Sequence, residues 1–230
     1  MRDRDGIANT LIVSVSLSLI ASVLVAGTAI ALKPKQEQNE ERYRQQIILD
    51  VAGLYEPGAD IGALFDGIET RRVNLASGDY ASDTDAEGAV EVYVVRENGV
   101  ISQVILPVYG PGLWSTMRGF LALRPDGNTI QGLRFYEHAE TPGLGDQIDK
   151  PAWRAQWAGK RVYAADGDSR IEVIKGFVDA NSPDAIHQVD GISGATLTGR
   201  GVTDLIRYWT GPQGFGPYLE KFRMEAGSDD

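Results

Sequence analysis

A run of 26 residues, Ile7 to Leu32, contains no charged side chain and is largely apolar. In lipid a chain must satisfy its backbone hydrogen bonds internally, so a single run of this kind can only be a helix. Its length exceeds the ~20 residues needed to cross a bilayer core. Ala29 and Ala31 have the small-residue spacing of a cleavage site, but the run is far longer than the ~7–15-residue apolar core of a signal peptide. The sequence therefore predicts an uncleaved, single-pass anchor over residues 7–32. It follows an N-terminal tail of residues 1–6. Nothing inside the anchor is ionisable, so this helix by itself offers no ion path. Ser14, Ser18 and Ser22 stand at i, i+4 and i+8. They form either a stripe for close helix packing or three serines that lipid tolerates.

The rest of the chain is acidic. Beyond residue 35 there are 18 basic and 30 acidic residues, which excludes nucleic acid as a partner and disfavours adsorption to anionic lipid. No cysteine is present, so a thiolate-held iron–sulfur cluster or structural Cys-type zinc site is excluded. The two histidines, His138 and His187, are far apart in sequence and are expected on surfaces or loops rather than as metal ligands. The 230 residues leave room for one substantial domain.

Residues 33–56 read as a linker turning into an amphipathic helix, with Tyr43, Ile47, Val51, Leu54 and Tyr55 on one face. The domain proper is expected over residues 57–230. Residues 74–88 read as a surface loop. Three hairpins are predicted. Glu91–Arg96 and Val100–Tyr109 flank Asn98-Gly99, a type I′ signal; Gly119–Arg124 and Thr129–His138 flank Pro125–Asn128; Arg161–Ala165 and Arg170–Lys175 flank Asp166–Ser169. Pro151 opens a short helix carrying Trp153 and Trp157, ended by Gly159. Val202, Leu205, Ile206 and Trp209 make one helical face, and Phe215, Tyr218, Leu219 and Phe222 another. Antiparallel hairpins with helices packed to the side define an α+β fold.

Chemistry concentrates in Asp190-Gly191-Ile192-Ser193-Gly194-Ala195-Thr196, just ahead of that first helix. A glycine-rich turn entering a helix gathers free N–H groups and the positive dipole end, which suits a phosphate. No lysine follows the glycines as in a nucleotide P-loop. Taken alone, Ser193 and Thr196 read either as helix caps or as part of a phosphate site with a hydroxyl inside it; Thr198 is expected to cap free N–H groups and Ser193 to bond its own turn. Lys175 ends a strand near this turn and is either a phosphate counter-charge or a solvated lysine. A second stretch, Tyr109-Gly110-Pro111-Gly112-Leu113-Trp114-Ser115, reads as a turn burying the indole of Trp114. A third is Glu140-Thr141-Pro142-Gly143-Leu144-Gly145. It is either a tight turn after a strand or a seat for a flat ring, in which Pro142 stiffens it, Gly143 and Gly145 admit close backbone approach, and Leu144 supplies an apolar face.

Together these three stretches resemble the C-subunit family of the Na⁺-translocating NADH:quinone oxidoreductase, whose domain is an FMN-binding domain. The resemblance runs from the N-terminal anchor to the last helix. It implies FMN esterified through its phosphate to Thr196, with Ser193, Gly194 and Ala195 around the acceptor and the loop Glu140–Gly145 at the flavin. It also implies an FMN transferase using FAD, and partner subunits in a membrane redox complex, about six in the family. The role implied is an electron relay from NADH toward quinone, in a bacterial inner-membrane complex. Two alternatives are the G subunit of an Rnf-type electron-transport complex and a non-catalytic membrane-tethered binding domain. A serine hydrolase fails, because Ala195 stands where the Gly-x-Ser-x-Gly elbow needs glycine.

Orientation divides the two kinds of reading. Lys33, Lys35, Arg42 and Arg44 follow the anchor and only Arg2 and Arg4 precede it, which by the positive-inside rule leans toward a cytoplasmic domain. The resemblance implies a periplasmic one, and that is the expectation here. Protease added to intact spheroplasts should then digest the domain, whereas full protection would place it in the cytoplasm.

Overall fold

In a computed structural model the described residues are 6–81 and 88–228. The chain divides into two compact units, Met1–Tyr43 and Arg44–Asp230. Helix α1 spans Ile7–Val51, with Pro34 inside it. The apolar run and the amphipathic segment are thus one continuous helix. Within the first unit the helix is long and apolar enough to cross a membrane, and its large apolar side chains, from Ile7 to Leu32, are exposed.

The second unit is built on one antiparallel meander in the order β1-β2-β3-β4-β5. The strands are β1 (Ile68–Asn74), β2 (Ala89–Glu97), β3 (Val100–Pro111), β4 (Thr116–Leu123) and β5 (Ile130–Glu137). Both faces of the sheet are covered, so its central strands read as continuous apolar runs rather than alternating ones. Val92, Val94, Val104, Leu106, Val108, Met117 and Leu121 point to the larger core. Their neighbours Tyr93, Val95, Ile105, Phe120 and Ala122 point to the other. On that second face lie Ile47, Ile48, Leu49 and Val51 of α1, together with the short helix α2 (Ile61–Phe65), which Asp60 caps through the N–H of Gly62 at 3.0 Å. Asp50 then pairs with Arg134 of β5 and with Arg154, the latter at 2.9 Å.

The larger core is closed by helix α3 (Pro151–Arg154) and the turn after it, α4 (Thr196–Thr210) and α5 (Gly216–Ser228). Trp153 and Trp157 meet edge-on at 5.5 Å between ring centres. All the residues predicted to form the apolar faces of α4 and α5 are buried here. The architecture is α+β, as expected.

The hairpins met different fates. Asn98 and Gly99 adopt φ of 53° and 87°, the left-handed pair a type I′ turn requires. The β4–β5 hairpin forms where predicted. The third does not: its turn is made, with Gly167 at φ 87°, but the arms share a single bridge, Tyr163 to Ser169. Beyond the bridge, Glu172–Val173 (β6) pairs in parallel with Gln188–Val189 (β7) instead. Ile171 and Val162 are both fully buried, and seating them in the core pulls the arms out of ladder register. The predicted loop 74–88 is partly strand end, with Tyr80 bridged to Val73, and residues 82–87 of it lie outside the described residues. His187 is buried, its Nδ1 2.7 Å from the Arg161 carbonyl, rather than on a surface.

The β4–β5 turn is held by one carboxylate. Asp126 accepts the N–H groups of Asn128 at 3.0 Å and Thr129 at 2.7 Å, and the Thr129 hydroxyl at 2.6 Å. Burial raises the carboxyl's pKa, but these donors and the Arg161 charge outweigh it and hold it below the ordinary value. A lowered folded value means stability that is present above the unfolded pKa, ~3.9, and lost as pH falls through the folded one. Asp126→Ala should therefore cost about 1 kcal/mol at pH 7 in this partly screened turn. Urea denaturation of the detergent-solubilised protein should show that difference shrinking below pH ~4. An equal loss at pH 7 and pH 2 would rule out the charged carboxylate as its source.

Candidate functional site

The parallel pair β6–β7 delivers the Asp190–Thr196 turn to its neighbours. The pairing continues past the strands: Ile174 N–H donates to Val189 O at 3.0 Å and Gly191 N–H to Gly176 O at 2.8 Å. Gly191 lies so close to the Ile174 carbonyl that any Cβ there would collide with it. Asp190 is fixed on three sides. Its carbonyl accepts from the Trp153 indole at 2.9 Å, its N–H donates to Gln156 at 3.0 Å, and its carboxylate accepts the Val178 N–H at 2.8 Å. Gly194 takes φ 75° to turn the chain into α4.

Helix α4 begins at Thr196 itself, and no side chain caps it. Its first N–H groups and dipole are therefore available to an anion. Thr196 is exposed, as are Ser193 and Gly194, while Ala195 is buried. Thr198 does not cap the helix. It is buried, and its hydroxyl donates to the Glu140 carboxylate. Two residues apart on a helix is a turn of about 200°, so Thr196 faces out where Thr198 faces in.

A cleft of about 800 Å³ opens beside Thr196, lined by Ile174–Phe177 on one side and by Gly191–Gly194 and the outer face of α4 on the other. Lys175, Arg200 and Arg207 bring positive charge to it, and Glu172 and Asp204 negative charge. Arg207 is engaged by the Ile171 carbonyl at 2.8 Å and by Glu172 at 3.8 Å. Lys175 and Arg200 are exposed. Lys175 is thus brought to the motif. Arg200 and Phe177, which is 87% exposed, are cleft residues that sequence reasoning did not single out. Arg200 follows the motif by one helical turn, a signal that was available; Phe177 gave none.

The loop Glu140–Gly145 divides into two parts. Glu140 and Gly145 are buried, whereas Pro142, Gly143 and Leu144 form an exposed tip. Leu144 lies against Gly194, where a Cβ would come within 2.9 Å of Leu144 Cδ2. The tip therefore touches the Thr196 turn, although the loop does not line the 800 Å³ cleft. Glu140 faces inward: besides Thr198, it accepts the Leu113 N–H at 2.7 Å. Thr141 accepts the Trp114 indole N–H at 3.0 Å. Trp114 is 70% exposed rather than buried in its turn, because that bond holds the ring across the loop surface. All three stretches meet in one place.

The arrangement fits a flavin mononucleotide. The cleft is of cofactor size, a helix N-terminus without a cap and two exposed cations suit a phosphate, and apolar side chains stand at its edge. Comparison with known proteins agrees. Residues 112–211 match the family model of the FMN-binding domain, which defines the class of this domain. The C subunit of the Na⁺-translocating NADH-quinone reductase of Pseudomonas aeruginosa is 42% identical, across 97% of this chain and 98% of its own. That of Yersinia pestis is 41% identical, across 98% and 96%. The crystal structure of Shewanella oneidensis NqrC superposes with a TM-score of 0.74 at 30% identity, covering 81% of this chain and 99% of that one. The chain belongs to the C-subunit family of the Na⁺-translocating NADH-quinone reductases.

Proposed function

We propose that this chain is a membrane-anchored electron-transfer subunit whose FMN is joined through phosphate to Thr196. The observation that carries the reading is the position of that hydroxyl. Thr196 is exposed at the first residue of an uncapped helix, on the wall of the cleft, in a chain of the C-subunit family. Bound FMN would supply reversible electron uptake on its isoalloxazine, which attachment through the phosphate leaves unsubstituted. The residues of this chain position it. The N–H groups of α4 and the cations of Lys175 and Arg200 would hold the phosphate. The exposed tip Pro142–Leu144 would meet the ring, with Glu140, Thr141 and Gly145 supporting the tip from behind.

Among the described residues no base is hydrogen-bonded to the Thr196 hydroxyl, and an unassisted hydroxyl is a weak nucleophile. Self-attachment is thereby disfavoured, and the resemblance to the C-subunit family implies a separate transferase that uses FAD. A bond forms from Thr196 Oγ1 to the phosphorus of the FMN moiety, the pyrophosphate P–O bond breaks, AMP leaves, and the hydroxyl proton is lost to the transferase. No electrons change hands. The anchor over residues 7–32 keeps the domain at the inner membrane on the periplasmic side. There partner subunits pass electrons from NADH toward quinone through it, and the chain has no substrate of its own.

Thr196→Val should abolish in-gel flavin fluorescence and the FMN mass increment of the intact protein, with the thermal transition little changed. Ser193→Ala should do neither, and fragment ions placing FMN on Ser193 or Thr198 of the native protein would refute the assignment. Leu144→Asp sets a charge against the ring at the loop tip. It should shift the flavin's absorption spectrum or midpoint potential while covalent loading stays near that of the parent. An unaltered redox titration would return the tip to an ordinary turn.

A further inference from the structure

Two hydroxyls compete in Ala195-Thr196-Leu197-Thr198, and the structure treats them oppositely. Thr198 is 1% exposed and donates to Glu140 Oε2, while the other oxygen of the same carboxylate accepts the Leu113 N–H at 2.7 Å. Glu140 is itself 4% exposed. Its chamber is shaped for it. A Cβ on Gly112 would collide with Glu140 Oε1, and a Cβ on Gly145 would come within 2.8 Å of Oε2 and 2.9 Å of Thr198 Oγ1. Two glycines thus leave room for one carboxylate and one hydroxyl. A buried carboxylate of this kind requires its donors, and removing it leaves them unsatisfied.

We infer that Glu140 is a positioning residue that decides which threonine is modified: by binding the Thr198 hydroxyl it removes that group from competition and fixes the first turn of α4 with Thr196 outward. This rests on the assignment of covalent FMN to Thr196. Three features converge on it. The hydroxyl proton of Thr198 is already donated to a carboxylate. Thr198 is buried, with Gly145 and the carboxylate itself against its oxygen. The bond spans the loop after β5 and the first turn of α4, so it resists the unwinding that would expose Thr198.

The test uses full-length protein, co-expressed with an FMN transferase, with fragment ions locating the flavin. In Thr196→Val with Glu140 intact, Thr198 should carry no flavin. Adding Glu140→Ala frees the hydroxyl. Adding Glu140→Asp shortens the carboxylate so that it cannot reach both donors. Either should place detectable flavin on Thr198, where the Thr196→Val background shows none, because a charge-assisted hydrogen bond no longer holds the hydroxyl. Glu140→Gln keeps the length: its carbonyl oxygen can accept the Leu113 N–H and its amide can donate to Thr198 Oγ1, so the oxygen stays engaged and enclosed, and Thr198 should stay silent. A purely structural role for Glu140 would lower loading in proportion to unfolding and never move the flavin. If the alanine variant precipitates, the aspartate variant decides. Folded double variants with no flavin on Thr198, or flavin on Thr198 while Glu140 is intact, would overturn the inference. Native protein without flavin on Thr196 would instead remove the assignment beneath it, and the inference with it.

Discussion

The carboxylate of Glu140 is the point on which the site depends. It accepts from the backbone of the β3–β4 turn through Leu113 and from the side chain of Thr198 in the first turn of α4, and it opens the loop after β5. These segments are far apart in sequence, and each is glycine-rich, hence entropically costly to order. A single buried acceptor serving two of them imposes a common geometry that apolar packing could not, because hydrophobic contact is non-directional. Hydrogen bonds to a charged group contribute about 1.5–3 kcal/mol each, roughly twice the neutral kind. That margin is enough to hold loops whose tips are exposed.

The meander explains why these loops can meet at all. In an antiparallel order β3-β4-β5, the turn after β3 and the chain leaving β5 emerge at the same end of the sheet. Helix α4 must then arrive at that end from the larger core. It does so by packing on β3, where Gly110 lies close against the Leu205 side chain, and the Trp209 indole donates to the Tyr109 carbonyl at 2.6 Å. Apolar burial sets where the helix lies, and directional bonds set its rotation. The first turn, with Thr196 outward and Thr198 inward, follows from both.

Much of this was legible in the sequence, for reasons that differ by element. Asn98-Gly99 named its own turn because only a few residues tolerate two positive φ angles. The faces of α4 and α5 were legible because burial repeats with the helical period. Strand β1 was not. Its only apolar residues, Ile68 and Val73, are an odd number apart and serve opposite cores. The charged middle is an edge-strand device in which Glu69 pairs with Arg71 at 2.5 Å and Arg96 at 3.3 Å. The parallel pairing of β6 with β7 was also hidden, because two-residue strands leave no periodicity to read. Within the site, the motifs located Thr196 and its turn. The inward aim of Glu140 was not readable, since a glutamate before Thr-Pro-Gly looks the same whether it faces a ligand or a core.

The exposure of the cleft bears on why a cofactor here would be bound covalently. A helix N-terminus favours an anion by about 0.3–1 kcal/mol at an exposed position. Two solvent-exposed cations such as Lys175 and Arg200 add about 0.2–1 kcal/mol each. At the phosphate end the sum reaches roughly 3 kcal/mol at most, whereas millimolar affinity already requires about 4 kcal/mol. Apolar contact with the tip Pro142–Leu144 would extend this only modestly, because that tip is itself exposed. Electrostatics at this site can therefore orient a phosphate but cannot retain one against dilution. The proposed ester to Thr196 would remove that limit, leaving Lys175, Arg200 and the helix only the lesser task of holding an attached group still. An open cleft then ceases to be a defect: a cofactor that cannot leave can remain accessible to whichever partner must exchange electrons with it.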